Sequence, residues 1–185
     1  YDGKGQQKLG PGSDLAAVWK QHGDRAGVVE SWISFTAELS VVVARGIASV
    51  RGEHPVKVFP PTLNVHENHI LATSVAPAPL AESILLRAQH LGAAIAEKLD
   101  VIGLVAVEFF LTRTGELLVN ELAPRPHNSG HYSFDACVTS QFEQQLRAVC
   151  GLPLGDTRLL SPVLMRNLLG DVWANGTPDW PALLT

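Results

Sequence analysis

The sequence predicts an α+β fold, a mixed or antiparallel sheet with helices packed on it. Three stretches carry that reading. "VIGLVAVEFFLTRTGELLVNEL", residues 101–122, reads as two apolar strands around a turn. "LAESILLRAQHLGAAIAEKLD", residues 80–100, repeats apolar residues at helical spacing. "AGVVESWISFTAELSVVVARG", residues 26–46, is dense in Val, Ile, Phe and Trp, the residues that suit a pleated, half-buried surface. At 185 residues, 46% hydrophobic and 17% charged, the chain can bury one sizeable core with a smaller appendage.

In chain order, residues 1–13 form a glycine-rich loop, and "SDLAAVWKQHG" is a short helix with Ser13 as N-cap and Gly23 just past its end. Residues 26–46 read as two strands joined near Ser34 to Thr36. "HPVKVFPPTLNVHENHIL" is expected as extended edge segments, because Pro55, Pro60 and Pro61 lack the N–H that a central strand needs. The helix in 80–100 presents Ile84, Leu85, Ala88, Leu91, Ile95 and Leu99 to a core, although its stop at Asp100 is not evident. After the hairpin, "DACVTSQFEQQLRAVCG" shows a helical stripe through Val138, Phe142, Leu146 and Val149, ended by Gly151. "SPVLMRNLLGDVW" adds a short strand, and the last dozen residues, with Pro178 and Pro181, read as loop.

Net charge is −4, and the 14 basic residues are scattered, which gives no support for a nucleic-acid partner. No apolar run approaches the ~18 residues of a helical membrane span; Arg45 and Gly46 interrupt "VVVARGIASV". Cys137 and Cys150, two isolated thiols in an expected helix, suit a reducing cytoplasm better than a disulfide framework. The opening "YDGKGQQKLG" has no initiator Met and starts inside a glycine loop, so the chain is expected to be a piece of a longer protein.

Chemistry concentrates in two places. Glu108 in "VAVEFFL" and Glu121 in "LLVNELA" are carboxylates inside apolar strand runs. If the hairpin loop is Thr112 to Gly115, Glu108 faces Val119 and Glu121 lies one diagonal step away on the same face, about 7 to 8 Å distant at the backbone. Two buried carboxylates on one face ask for a counter-charge, which Mg²⁺ or Mn²⁺ would supply. Two alternatives stay open: both point to solvent, or they pair with Arg113, Arg125 or Lys98. A one-residue slip in register would put them on opposite faces. The second place is "NELAPRPHNSGH", residues 120–131, where Arg125 can grip an anion bidentately, His127 and Asn128 add donors, and Pro124 and Pro126 stiffen the loop. An Arg125–Asp135 clasp is the structural alternative. Ser129 has no evident base and acid around it, which argues against a hydrolase triad. Glycines at 3 and 5 flanking Lys4 would suit a phosphate cradle or a plain flexible loop, and Glu30, Glu38 and His66, taken by themselves, read as ordinary surface residues.

Taken in order, "YDGKGQ", "VVESWISFTAELSVVVARG", "LNVHENHIL", "VAVEFF" and "NELAPRPHNSGHYSFDACVTSQFEQQLRAVCGLPLGD" resemble the ATP-grasp enzymes, and among them the 5-(carboxyamino)imidazole ribonucleotide synthases of purine biosynthesis. The likeness is most specific in "NELAPRPHNSGH" followed by "SQFEQQLRA". It implies an ATP-grasp fold that binds ATP between two α+β subdomains, with residues 1–33 ending the small subdomain, 34–152 forming the main one and 153–185 starting a C-terminal segment.

It implies a cytoplasmic carbon–nitrogen ligase that activates bicarbonate as carboxyphosphate for attack by aminoimidazole ribonucleotide. By the same resemblance Tyr1, Asp2, Gly3, Lys4, Gly5 and Gln6 would form the nucleotide-covering loop. Glu30, Ser31, Trp32 and Ile33 would meet adenine, and Glu38 would hold the ribose. His66, Asn120 and Glu121 would complete the nucleotide site, and Glu108 and Glu121 would ligate magnesium. Asp2, Lys4, Arg125, His127 and Asn128 would hold the ribonucleotide, with Arg125 and Lys4 catalytic. Lys4 stands where many members carry arginine, which keeps charge but not a bidentate grip.

A homodimer without nucleic-acid or membrane partner is the expected assembly. The family's N-terminal domain and C-terminal basic residues are not in the sequence, so the chain alone is expected to be inactive. Sister ATP-grasp ligases of the glycinamide ribonucleotide transformylase or biotin carboxylase type, and a non-catalytic nucleotide-binding module, are the rival readings.

Overall fold

A computed structural model describes residues 5–23, 25–49, 52–173 and 176–183. Helix α1, Leu15–His22, is capped by Asp14, whose carboxylate accepts from the N–H groups of Ala16 and Ala17 at 3.0 Å. Ser13, the expected cap, instead accepts from Gly10 N–H. Gly23 ends the helix in the left-handed conformation, φ 72°, which only glycine adopts without cost.

Only one strand forms in residues 26–46: β1, Phe35–Arg45. The expected first strand is absent, because residues 25–34, exposed except for the half-buried Ile33, gain no pairing partner among the described residues. Strand β2, Val56–Val58, and strand β3, Thr62–Glu67, lie end to end along the same edge of β1, pairing with Val43–Arg45 and Glu38–Ser40 respectively. Pro60 and Pro61 sit at the corner between them. The expectation of edge strands therefore fails for β3: its prolines precede it, and it lies between β1 and β4, Ile70–Ala76.

Helix α2 spans Glu82–Lys98. Its stop is a Schellman arrangement, with Asp100 N–H donating to Glu97 O, Val101 N–H to Ala96 O, and Asp100 at φ 50°. Arg45 Nη1, itself buried, ties this turn to the sheet through Asp100 Oδ1 and Val101 O, both at 2.9 Å. The hairpin forms from β5, Gly103–Thr112, and β6, Leu117–Ala123.

Beyond it the predicted single helix breaks in two, α3 (Ser133–Ala136) and α4 (Gln141–Val149). Cys137 lies in the break, bridged to Leu159. The stripe Val138, Phe142, Leu146, Val149 faces outward, while Gln141, Gln144 and Ala148 are buried. Strand β7, Val163–Arg166, follows as expected, and a four-residue helix α5, Trp180–Leu183, stands where loop was expected.

The strands form one sheet in the order β6-β5-β1-β3-β4-β7, with β2 beside β1 and the pairs antiparallel. One face carries Leu39, Val41, Val43, Val105, Val107, Phe109 and Leu111 and is covered by α2. The helix approaches through small residues, Ala88, Gly92 and Ala96, which are buried where Leu91 and Leu99 of the expected stripe are exposed. A Cβ at Gly92 would lie 3.2 Å from Val41 and Val43. The opposite face changes character along its strands. Its lower half, with Val42, Ala44, Leu104, Ala106 and Ala123, packs against Phe59, Tyr132 and Ala136. Its upper half is polar and holds the candidate site.

Candidate active site

The polar half-face is built by strand alternation. Moving two residues up β1 from Val42 gives Ser40 and then Glu38, and moving two up β5 from Ala106 gives Glu108. Ser40 pairs with Glu108 across β1 and β5, and with Thr62 across β1 and β3. Beneath the charged residues lies a dry hydroxyl and amide network. Ser40 Oγ meets Thr62 Oγ1 at 3.0 Å, and Asn64 Oδ1 accepts from Thr62 Oγ1 (3.0 Å) and Ser74 Oγ (2.8 Å). Asn64 Nδ2 donates to Ser40 Oγ at 2.5 Å. All four residues are buried, so their mutual satisfaction makes a rigid polar floor.

The hairpin register differs from the expected one, and the difference matters. Leu111 pairs with Leu117 rather than Glu116, and a bulge between Glu108 and Phe109 leaves Asn120 as the extra residue. Continued without the bulge, the Leu111↔Leu117 register would set Glu121 opposite Val107 and aim it at the α2 face. With it, Glu121 sits directly opposite Glu108 on the polar face. Directly opposed side chains start about 4.5 to 5.5 Å apart at Cβ, where like charges repel. Neither carboxylate pairs with Arg113 or Lys98: Glu108 Oε1 is 3.1 Å from His127 Nε2, whereas Glu121, expected to be buried, is exposed to solvent.

Among the described residues no group of three or more His, Cys, Asp or Glu forms a closed metal cage. Two carboxylates open to a phosphate-bearing ligand are instead the usual protein share of a magnesium site, so the residues present fit such an ion.

A second acid–imidazole pair stands beside the first: Glu38 Oε2 to His66 Nδ1, 2.9 Å, each side chain 22% exposed. The Glu38 hydrogen bond raises the His66 pKa above its usual value against the opposing effect of burial, with added pull from the charges of Glu38, Glu108 and Glu121. For Glu108 burial pushes upward, but the hydrogen bond and charge of His127, with His66 and Arg125, overcome it and hold the carboxyl below its ordinary range. The polar face thus favours the charged form of Glu108.

The loop after β6 brings His127 and Arg125 close to Glu108, and Asn128 follows them in a short turn. Arg125 is exposed and its Nη1 donates to Pro126 O at 3.1 Å, so the Asp135 clasp does not form. The expectation that Ser129 lacks a base and an acid is also corrected. Its Oγ lies 2.8 Å from His127 Nδ1, and its N–H points to the same nitrogen at 3.4 Å. Nδ1 therefore accepts, and the Nε2–H donates to Glu108. Ser129 is fully buried, which bars it from acting as a nucleophile.

Of the remaining predicted residues, Gly5 and Gln6 lie exposed in the N-terminal loop, Gly5 at φ 82°. Glu30, Ser31, Trp32 and Ile33 lie in the extended run before β1, and Trp32 carries Lys8 Nζ over its ring at 3.9 Å. Among the described residues none of the four makes a hydrogen bond or ion pair with the polar face. Tyr1, Asp2, Gly3 and Lys4 lie outside the described residues. The neutral floor of Ser40, Thr62, Asn64 and Ser74, and Gln141 behind the Arg125 loop, went unread in the sequence. Only the alternation of Glu38 and Ser40 with apolar neighbours hinted at a polar face.

The sequence profile of the ATP-grasp domain matches residues 1–142. The chain belongs to the ATP-grasp family. It is 53% identical over 173 residues to the N5-carboxyaminoimidazole ribonucleotide synthase of Bacillus subtilis, spanning 92% of this chain and 44% of that protein. It is 43% identical to the bifunctional purine synthesis protein purC/E of Dictyostelium discoideum, over 92% of this chain and 19% of that one. Among solved structures, the N5-carboxyaminoimidazole synthetase of Staphylococcus aureus complexed with ADP superposes with a TM-score of 0.82 at 37% identity, covering 95% of this chain and 46% of that one. The Thermus thermophilus synthetase gives 0.79 at 38%, over 93% and 46%. This ATP-grasp chain thus spans a little under half the length of most of these relatives, and no described helix is long and apolar enough to cross a membrane.

Proposed function

We propose that the chain is the ATP-binding and central part of a cytoplasmic, homodimeric ligase that carboxylates aminoimidazole ribonucleotide, using bicarbonate and ATP, in purine biosynthesis. The observation that carries this reading is the placement of Glu108 opposite Glu121, beside the loop of Arg125 and His127. Relatives up to 53% identical are named as synthases of carboxyaminoimidazole ribonucleotide, and one related synthase is solved with ADP and aminoimidazole ribonucleotide bound. In this reading residues 1–33, 34–152 and 153–185 are the end of the small subdomain, the main subdomain and the start of the C-terminal segment.

Each side chain has a task. Glu108 and Glu121 would hold Mg²⁺, or Mn²⁺ in its place, and the ion would supply neutralisation of phosphate charge. Glu38 takes the ribose, with His66 oriented by it and Asn120 alongside. Glu30, Ser31, Trp32 and Ile33 meet adenine, and residues 1–6 close over the phosphates to exclude water. Arg125 and Lys4 stabilise the transferring charge, while Asp2, His127 and Asn128 help hold the ribonucleotide.

A bicarbonate oxygen attacks the γ-phosphorus as its bond to ADP breaks, giving carboxyphosphate. The amine of the ribonucleotide then attacks the carbonyl carbon, phosphate leaves, and the nitrogen gives up a proton. Phosphate release by the full chain, measured with and without aminoimidazole ribonucleotide and bicarbonate, tests this. Release that depends on both is expected; release indifferent to the ribonucleotide contradicts the substrate assignment.

A further inference from the structure

Behind the loop that carries Arg125, His127 and Asn128 stands Gln141, the first residue of α4, fully buried. Both ends of its amide close on a single residue. His127 N–H donates to Gln141 Oε1 at 2.9 Å, and Gln141 Nε2 donates to His127 O at 2.8 Å. A buried carboxamide so matched fixes a backbone much as a neighbouring strand would.

The loop is shaped around it. A Cβ at Gly130 would lie 2.6 Å from Gln141 Oε1, so glycine leaves the amide its space. Ser133 Oγ accepts from Gln141 N–H at 2.9 Å and donates to Gly130 O at 2.6 Å, cross-tying helix and loop. An apolar residue of similar volume would fill the space but leave the His127 N–H without this acceptor. The main chain of His127 is thus set by Gln141, and its ring by Ser129 and Glu108.

We infer that Gln141 is a positioning residue: by clamping His127 it sets how His127 meets Glu108 and how the Arg125 loop faces an anionic substrate. Which substrate suffers when the clamp fails rests on the proposed function; the clamp itself does not. The same helix supplies a control. Gln144 makes an equivalent pair of bonds to Gly155, with N–H to Oε1 at 3.0 Å and Nε2 to O at 2.7 Å, in a loop that carries no site residue.

The test compares Gln141→Glu, which turns the donor into a second acceptor facing His127 O, with Gln141→Met, which keeps the volume, and with Gln144→Glu. Long-range ¹H–¹⁵N histidine spectra and steady-state kinetics are read on the full chain. Both Gln141 variants should shift the His127 ring resonances and lower kcat/KM for aminoimidazole ribonucleotide by roughly ten- to a hundred-fold, with the KM for ATP unchanged. Gln144→Glu should lower Tm while leaving those resonances and constants as in wild type. Unshifted His127 resonances in a folded Gln141 variant overturn the inference, as do ribonucleotide and ATP constants that worsen together, or constants that stay at wild-type values as in Gln144→Glu. If the ribonucleotide fails to stimulate the wild type, the functional reading falls and the spectra alone decide the role of Gln141.

Discussion

At Glu108 two influences oppose each other, and the balance sets how the site responds to pH. Burial favours the neutral acid, while His127, His66 and Arg125 favour the carboxylate and prevail, so its folded pKa lies below the unfolded value. Its contribution to stability is therefore present above about pH 4.5 and is lost as pH falls through the folded pKa. His66 runs the other way. Its pKa is raised by Glu38, so its contribution is complete below about pH 6.5 and disappears as pH rises through the folded value. Urea titrations of wild type and His66→Gln should thus differ more near pH 5.5 than near pH 8.5; a gap that widens toward alkaline pH contradicts this. The charged residues were legible in the sequence because a carboxylate within an apolar strand is costly and so conspicuous. Gln141, Ser129 and the Ser40–Asn64 floor were not. Amides and hydroxyls satisfied by hydrogen bonds leave no charge or periodicity to read, and their partners lie up to 24 residues away in sequence.

Among the elements, the Asn120 bulge has the largest consequence. Deleting Asn120 restores an uninterrupted ladder that still sets Glu121 opposite Glu108, so the deletion removes the bulge without turning Glu121 from the polar face. Calorimetry with a non-hydrolysable ATP analogue and Mg²⁺ should show binding weakened by the loss of the Asn120 side chain but not abolished in the deletion chain, while its circular dichroism stays that of a folded sheet; binding abolished in a folded deletion chain would mean that the bulge does more than bring Glu121 into step with Glu108. Helix α2 offers a separate check. A Cβ added at Gly92 would lie 3.2 Å from Val41 and Val43, so Gly92→Leu should destabilise the fold by about 1 to 3 kcal/mol through overpacking, seen as a lower urea midpoint. A midpoint at or above wild type would mean that the helix can move outward freely.

Long periodic stretches such as α2 and the hairpin were legible because burial repeats along them. The α4 stripe was misread because that helix buries Gln141 and Gln144 as staples and turns Phe142 and Leu146 outward. The two-strand reading of residues 26–46 failed because β-rich composition does not supply a pairing partner. Prolines misled for β3 because they mark the corner before it, where no N–H is required.

For the whole molecule, one antiparallel sheet serves two purposes. Its α2 face and lower opposite half make the core, and the upper half is left polar by strand alternation for a ligand. That division explains how Glu38, His66, Glu108, Glu121 and His127, scattered over ninety residues, come to one surface. It also suits a reaction that needs positioning and charge neutralisation rather than a protein nucleophile. The account rests most heavily on the paired carboxylates as a cation site that completes itself with nucleotide phosphates. Titration of Mn²⁺ into the full chain with a non-hydrolysable ATP analogue, followed by electron paramagnetic resonance, measures this directly. Wild type should bind the ion in a nucleotide-dependent way, and Glu121→Gln, at an exposed position, should weaken that binding on the order of tenfold or more without unfolding the chain. Equal Mn²⁺ affinity in wild type, Glu121→Gln and Glu108→Gln would contradict it.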